Sequence, residues 1–265
     1  TKSQRWSLII KSPYLYYMAK VIEDYVNLTS LHITELPEFL KDVQIRGSGK
    51  SYYSTERFTG LNISGNKLTS LKNCPSVIGG DFLARNCKLK SLVGGPNYVS
   101  GHYVVEHNHL TSLEGMAHTI GGNVDISYNP ITSLKHLPVS LAYRNLTAMY
   151  TKLVTLEHCP KNVQNLFLDG NHTLMSFEGC PDNISHLSAT GCSVDSFKGL
   201  PNVMRGSLTI TSERNFNSLD GLPGYFGNTL TLYYGNFKHF IGEDELIKQI
   251  ILRTNLGSQQ IILLG

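Results

Sequence analysis

Ten histidines and five cysteines are the side chains of this chain best suited to hold a metal, move a proton or attack an electrophile. Their spacing argues against each use. His102, His107, His109, His118, His136, His158, His172, His186 and His239 are scattered, with no pair at i, i+4 on a helical stretch and no carboxylate at ligand spacing. In His107-Asn108-His109 the two rings flank a residue expected inside, so they point to different sides. The cysteines are odd in number and show no C-x-x-C. A phosphate loop, a G-x-S-x-G elbow and a paired-carboxylate motif are all missing. The expectation is a protein that is not an enzyme, with no cofactor, no metal and no catalytic residue.

What positions these side chains is a repeat. The pattern L-x-L-x-x-N-x-L-x-S-L recurs with its first strand residue at Leu61, Phe82, Tyr103, Val124, Leu146, Leu166, Leu187, Leu208 and Leu230, at intervals of 20 to 22 residues. A period of this length with this Leu/Asn grammar is that of a leucine-rich repeat solenoid. Cys87 and Cys192 then occupy the column of Asn66, Asn108, Asn129 and Asn171, while Cys74, Cys159 and Cys180 each precede a proline, where sister units carry leucine. All five read as small buried apolar residues in a reducing compartment.

Within a unit such as Leu61-Asn-Ile-Ser-Gly-Asn66-Lys-Leu68-Thr-Ser-Leu71, alternation buries Leu61 and Ile63 and turns Asn62 and Ser64 outward. Side-by-side strands make a parallel sheet on a concave face, and about ten residues remain for the return. That is too short for a helix with two turns, and Pro75, Pro96, Pro138, Pro160, Pro181, Pro201 and Pro223 fall in it. The convex side should be thin and non-helical, with Gly79-Gly80 and Gly121-Gly122 as loose corners. The asparagine column should form a ladder that satisfies backbone groups leaving the sheet. Thr151 interrupts it, and Asn215 and Asn236 come late.

The fold expected is mainly β: a solenoid of about nine 20–22-residue units over 61–240, with short capping helices at both ends. Residues 1–60 form an N-terminal cap, with a helix from Ser12-Pro13 to about Val26, one degenerate unit at Leu28–Leu36, and a protruding loop from Gly47 to Gly60 that holds Tyr52-Tyr53. Residues 241–265 form a C-terminal cap: a helix over Glu243–Ile251, a strand template at Ile250–Asn255, and the apolar end Ile261–Leu264, which either completes the cap or exposes an edge.

Units such as Gly65-Asn-Lys-Leu-Thr-Ser-Leu71 followed by Cys74-Pro75 and Val77-Ile-Gly-Gly80 make residues 61–240 resemble short bacterial-type leucine-rich repeats, particularly those encoded by tailed bacteriophages and their bacterial hosts. The resemblance implies protein–protein interaction, with a host or virion component as partner. Bacterial effectors of this repeat class that carry a ubiquitin-ligase domain are similar too, but no segment here fits that domain.

The outward strand positions should form the contact face. Leu83, Val104, Met149 and Phe167 are apolar where solvent is expected, and Tyr128 and Tyr150 are neighbours in one column. Arg85, Glu106 and His107 lie beside them, and Tyr233 and Tyr234 extend the aromatic set. Aromatic and Met residues with a few charges are enriched at interface centres. The face is therefore expected to hold a protein partner. A structural subunit of an assembly such as a virion, and a carbohydrate-binding groove, are the other readings. A charge of +3 without a Lys/Arg cluster argues against nucleic acid, and the longest apolar stretches are too short for a membrane span. With no signal-peptide pattern, the expected location is cytoplasmic, in the host cell or the virion if phage-encoded. A monomer is expected, with assembly through the termini as the alternative.

Overall fold

The computed structural model describes residues 21–23, 25–46, 59–138, 145–161 and 163–265. It is mainly β, and its parallel strands wind into a β-solenoid. The described residues fall into two compact units, one running to Asn108 and including Glu114–Asn123, the other comprising His109–Leu113 and Val124–Gly265.

In the first unit, β2 (Tyr25–Asn27), β4 (Gly60–Asn62), β6 (Asp81–Leu83) and β8 (Tyr103–Val104) form one parallel sheet. The return segments form a second: β1 (Val21–Glu23), β3 (Gln44–Arg46), β5 (Val77–Ile78), β7 (Tyr98–Val99) and β9 (Thr119–Ile120). In the second unit, the sheet order is β10 (Val124–Asp125), β11 (Asn145–Thr147), β12 (Asn165–Phe167), β13 (His186–Cys192), β15 (Leu208–Ser212), β17 (Leu230–Tyr233) and β18 (Ile261–Leu264). Its return side holds the pair β14 (Val203–Met204) and β16 (Tyr225–Phe226). The proline-bearing short returns of the central coils are thus extended and non-helical, while a 3-10 turn at Glu38–Asp42 and an α-helix at Glu243–Arg253 stand in the first and last returns.

Register follows the leucine column. Leu61 pairs with Phe82 and Phe82 with Tyr103; in the second unit Leu146, Leu166, Leu187, Leu208, Leu230 and Ile261 align in turn. Each of these side chains is buried, and each contributes on the order of 1.5–3 kcal/mol of burial. A second buried row, including Leu68, Leu89, Leu110 and Leu153, closes over the sheet.

The amide ladder is present. Asn108 donates from Nδ2 to the carbonyls of Ala84 (2.8 Å) and Val105 (2.9 Å), and its Oδ1 accepts the N–H groups of Cys87 (3.1 Å) and Leu89 (2.9 Å). Asn66 and Asn171 each donate to two carbonyls as well. Where the column changes residue type, the substitutes still supply one donor: Thr151 Oγ1 to Asn171, and the thiols of Cys87 and Cys192 to the carbonyls of Ile63 and Leu168. Asn236, although late in sequence, rejoins the ladder because the 3-10 turn Tyr234–Asn236 carries it back to bond Ser212 and Arg214.

Three expectations are corrected. The helix from Ser12 lies mostly outside the described residues, and where its end is described, Val21–Glu23 and Tyr25–Asn27 are strands. Val26 pairs with Leu61, so the degenerate unit stands 35 residues upstream of the next one. Leu28 and Leu36 are buried like Ile63 and Leu71. The protruding loop with Tyr52-Tyr53 lies outside the described residues, apart from Thr59 and Gly60, which are buried. At the other end, Ile250–Asn255 is not a strand: helix α1 (Glu243–Arg253) runs through it, with Leu246 and Ile250 buried and three acidic residues in its first turn. Finally, the glycine corners are tight. A Cβ on Gly80 would lie 2.3 Å from the Thr59 carbonyl oxygen and one on Gly121 would lie 2.2 Å from that of Ser100, so coil-to-coil approach, not looseness, demands glycine there.

A second polar ladder runs, in several coils, along the position just before the leucine-column residue. Asp81 Oδ1 accepts the His102 N–H (2.7 Å), and His102 Nδ1 accepts the Asn123 N–H (2.9 Å). In the second unit Asn165 Nδ2 donates to Asn145 (2.8 Å), and His186 Nδ1 accepts the Ser207 N–H (3.2 Å).

Two outcomes are expected. Asn108→Ala should lower unfolding free energy by roughly 1–3 kcal/mol, read from urea midpoints. His102 must stay neutral to accept its bond, and burial, opposed by the charge of Asp81, holds its pKa below the ordinary histidine value. The unfolded chain takes up that proton near pH 6.5 and the folded chain only at lower pH. Its contribution is therefore complete above about pH 6.5 and is lost as pH falls toward the folded value. The stability difference between the native chain and His102→Asn should shrink between pH 7.5 and 5; an unchanged difference would refute this role.

Candidate partner-binding site

From β4 to β13, one position near the end of each sheet strand shares a conformation. Gly65, Asn86 and His107 in the first unit, and Tyr128, Tyr150, Gly170 and Gly191 in the second, all have positive φ, between 51° and 73°. Glycine and asparagine occupy this region readily; a tyrosine there carries roughly 1–3 kcal/mol of strain. Tyr128 and Tyr150 sit there on successive coils.

Their rings stack, with centroids 4.8 Å apart and planes 14° apart. Tyr128 is 41% and Tyr150 48% exposed. The Tyr150 ring leans over Gly170, where an added Cβ would come within 2.4 Å of Cδ1 and Cε1. The missing side chain at 170 is therefore what lets the ring lie down. Beside the stack, Met149 and Phe167 are half-buried on the outward rows. Asp169 is fixed there: its Oδ1 accepts Ser188 Oγ (2.7 Å), the Thr190 N–H (2.8 Å) and Thr190 Oγ1 (2.8 Å).

The other expected contact residues divide. In the first unit Leu83 and Val104 are 1% and 2% exposed. They are buried on the outer side of their strands and do not form an open apolar patch. Arg85 and Glu106 form an ion pair at 2.9 Å, both half-buried, and His107 is exposed at its left-handed turn. In the second unit Tyr233 is exposed at the end of β17, and Tyr234 is half-buried with its hydroxyl donating to the Ile241 carbonyl at 3.3 Å. Four strand steps of about 4.8 Å put them about 19 Å from the coil of Tyr150, so they are not part of the stack. The structure brings together Tyr128, Tyr150, Met149 and Phe167, and it adds Asp169 and Gly170, which the residue-type argument passed over. Their signal was readable: glycine or asparagine recurring at Gly65, Asn86, Gly170 and Gly191 marks a left-handed column in which a tyrosine is anomalous.

The histidines and cysteines are engaged elsewhere. His102 and His186 serve the second ladder, His172 bonds Glu213 at 2.6 Å, and His239 faces Asn217 at 2.9 Å. His136 and His158 line a cleft of about 490 Å³ on the return side with Glu157, Cys159, Lys161 and Gly179. Among the described residues no three His, Cys, Asp or Glu side chains are grouped to hold a metal ion. All five cysteines are free thiols and buried. Burial pushes Cys159 and Cys192 up to about 12, and Cys74 and Cys180 higher still, so thiolate chemistry is suppressed. Among the described residues, no helix is long and apolar enough to cross a membrane.

No family model matches the chain, and no curated protein is significantly similar to it.

Proposed function

We propose that this is a non-enzymatic binding protein that holds a protein partner on the outward strand face around Tyr128 and Tyr150. One observation carries the reading: two large aromatic rings are kept exposed and stacked on a backbone conformation that glycine would occupy without strain. Folding gains little from that choice, since a residue with no side chain serves the same turn at Gly65, Gly170 and Gly191. Strain held against the folding interest is a mark of use. Exposed tyrosines also make low-entropy anchors for a partner. The likeness of the repeat units to leucine-rich repeats of tailed phages and bacteria supports a host or virion protein as that partner, met in a cytoplasmic setting by a monomeric chain.

The test separates stability from recognition. Tyr128→Gly/Tyr150→Gly relieves strain, while it loses one stacking contact and adds unfolded-state entropy, so its unfolding free energy should stay within about 1 kcal/mol of the native chain. In affinity capture from bacterial lysate the same variant should lose a protein that the native chain retains. Equal capture by both would reject this face.

A second reading, assembly into a larger structure, is favoured by β18. This uncharged strand, Ile261–Leu264, is last in its sheet, and Ile262 and Leu264 are exposed. If it joins copies, Ile262→Lys/Leu264→Lys should abolish any concentration-dependent increase in mass seen by light scattering. A native chain of constant monomeric mass would dismiss this reading.

A further inference from the structure

Resting on the reading that this face binds a protein, we infer that Asp169 receives an arginine side chain of the partner, held flat beside the Tyr128–Tyr150 stack. Charge is the first argument. At the outward strand and turn positions of the second unit, from Asp125, Ser127 and Tyr128 coil by coil to Thr231, Tyr233 and Tyr234, the only acidic residues are Asp125 and Asp169, and neither lysine nor arginine appears, although the chain as a whole carries +3. Lys152, two residues past Tyr150, sits exposed on the outgoing turn, outside those positions.

The two acids differ. Asp125 accepts the Ser127 N–H of its own turn at 3.0 Å. Asp169 has one oxygen clamped by Ser188 and Thr190 of the next coil, while among the described residues its Oδ2 has no hydrogen-bond partner. The clamp fixes the carboxylate before a partner arrives, so little orientational freedom is lost on binding. The Tyr150 N–H donates to the Asp169 carbonyl at 2.8 Å, which sets ring and carboxylate on adjacent coils. Phe167 lies two residues back on the same outward row, and Gly170 adds no side chain between them. A planar cation can therefore lie on the aromatic surface and donate to Oδ2 together. Guanidinium meets both demands, since it stacks on rings and sheds water more readily than an ammonium group.

The probe is N-acetyl-arginine methylamide, titrated into the full-length ¹⁵N-labelled chain, with the neutral citrulline analogue as control. The arginine compound should shift the amides of Gly170, Thr190 and Gly191, and the citrulline compound should not. Asp169→Asn keeps an oxygen to accept the three clamping donors but removes the charge; it should weaken the response about tenfold with an unchanged melting temperature. An equal response to citrulline, an equal response from Asp169→Asn, or no shift at all overturns the inference. The lysate capture distinguishes the two levels of the reading. A partner lost by Tyr128→Gly/Tyr150→Gly but kept by Asp169→Asn leaves the face intact and rejects the arginine anchor. A partner kept by all forms rejects the face as well.

Discussion

Everything in this molecule depends on how the chain leaves a strand. A parallel sheet built from successive coils obliges each strand to end and turn away at the same place, and the turn strands backbone donors and acceptors where water cannot reach them. Two adjacent residues solve this. One takes a left-handed conformation and reverses the path; the next buries an amide that bonds backward within its own coil and sideways to its neighbour. Asn108, reaching Ala84 and Val105 with its nitrogen and Cys87 and Leu89 with its oxygen, shows the arrangement in full. Because the amide links two coils, the repeat length is not free to drift.

That requirement explains which parts of the structure could be read in the sequence. The period, the leucine core, the asparagine column and the extended return segments of the central coils follow from demands that recur from unit to unit, so the same residue types recur with them. The C-terminal helix was legible too, because its acidic first turn and the buried Leu246 and Ile250 form a local pattern.

What was hidden depends on partners far away in sequence. The apolar spacing up to Val26 has a helical reading in isolation, but pairing of Tyr25–Asn27 with Gly60–Asn62 prevails. Alternation puts Leu83 and Val104 on the outer face of their strands, and no single strand reveals whether that face is covered. The second ladder escaped notice because Asp81, His102, Asn145 and His186 solve one problem with different chemistry. At the candidate site, residue types singled out Tyr128 and Tyr150, whose rings the fold stacks and leaves exposed. Their left-handed backbone and the clamped Asp169 came only with the geometry.

Gly170 shows how a position with no chemistry of its own can govern the shape of the proposed recognition surface. Asparagine tolerates the left-handed conformation found there, so the fold would accept that exchange with little complaint. Its Cβ would nonetheless meet the ring of Tyr150 and lift it, and Tyr128 would move with its stacking partner. Variation at this one residue could thus retune what the face accepts while every contacting side chain keeps its identity. Specificity at the proposed site would then have a dial placed underneath the surface it adjusts.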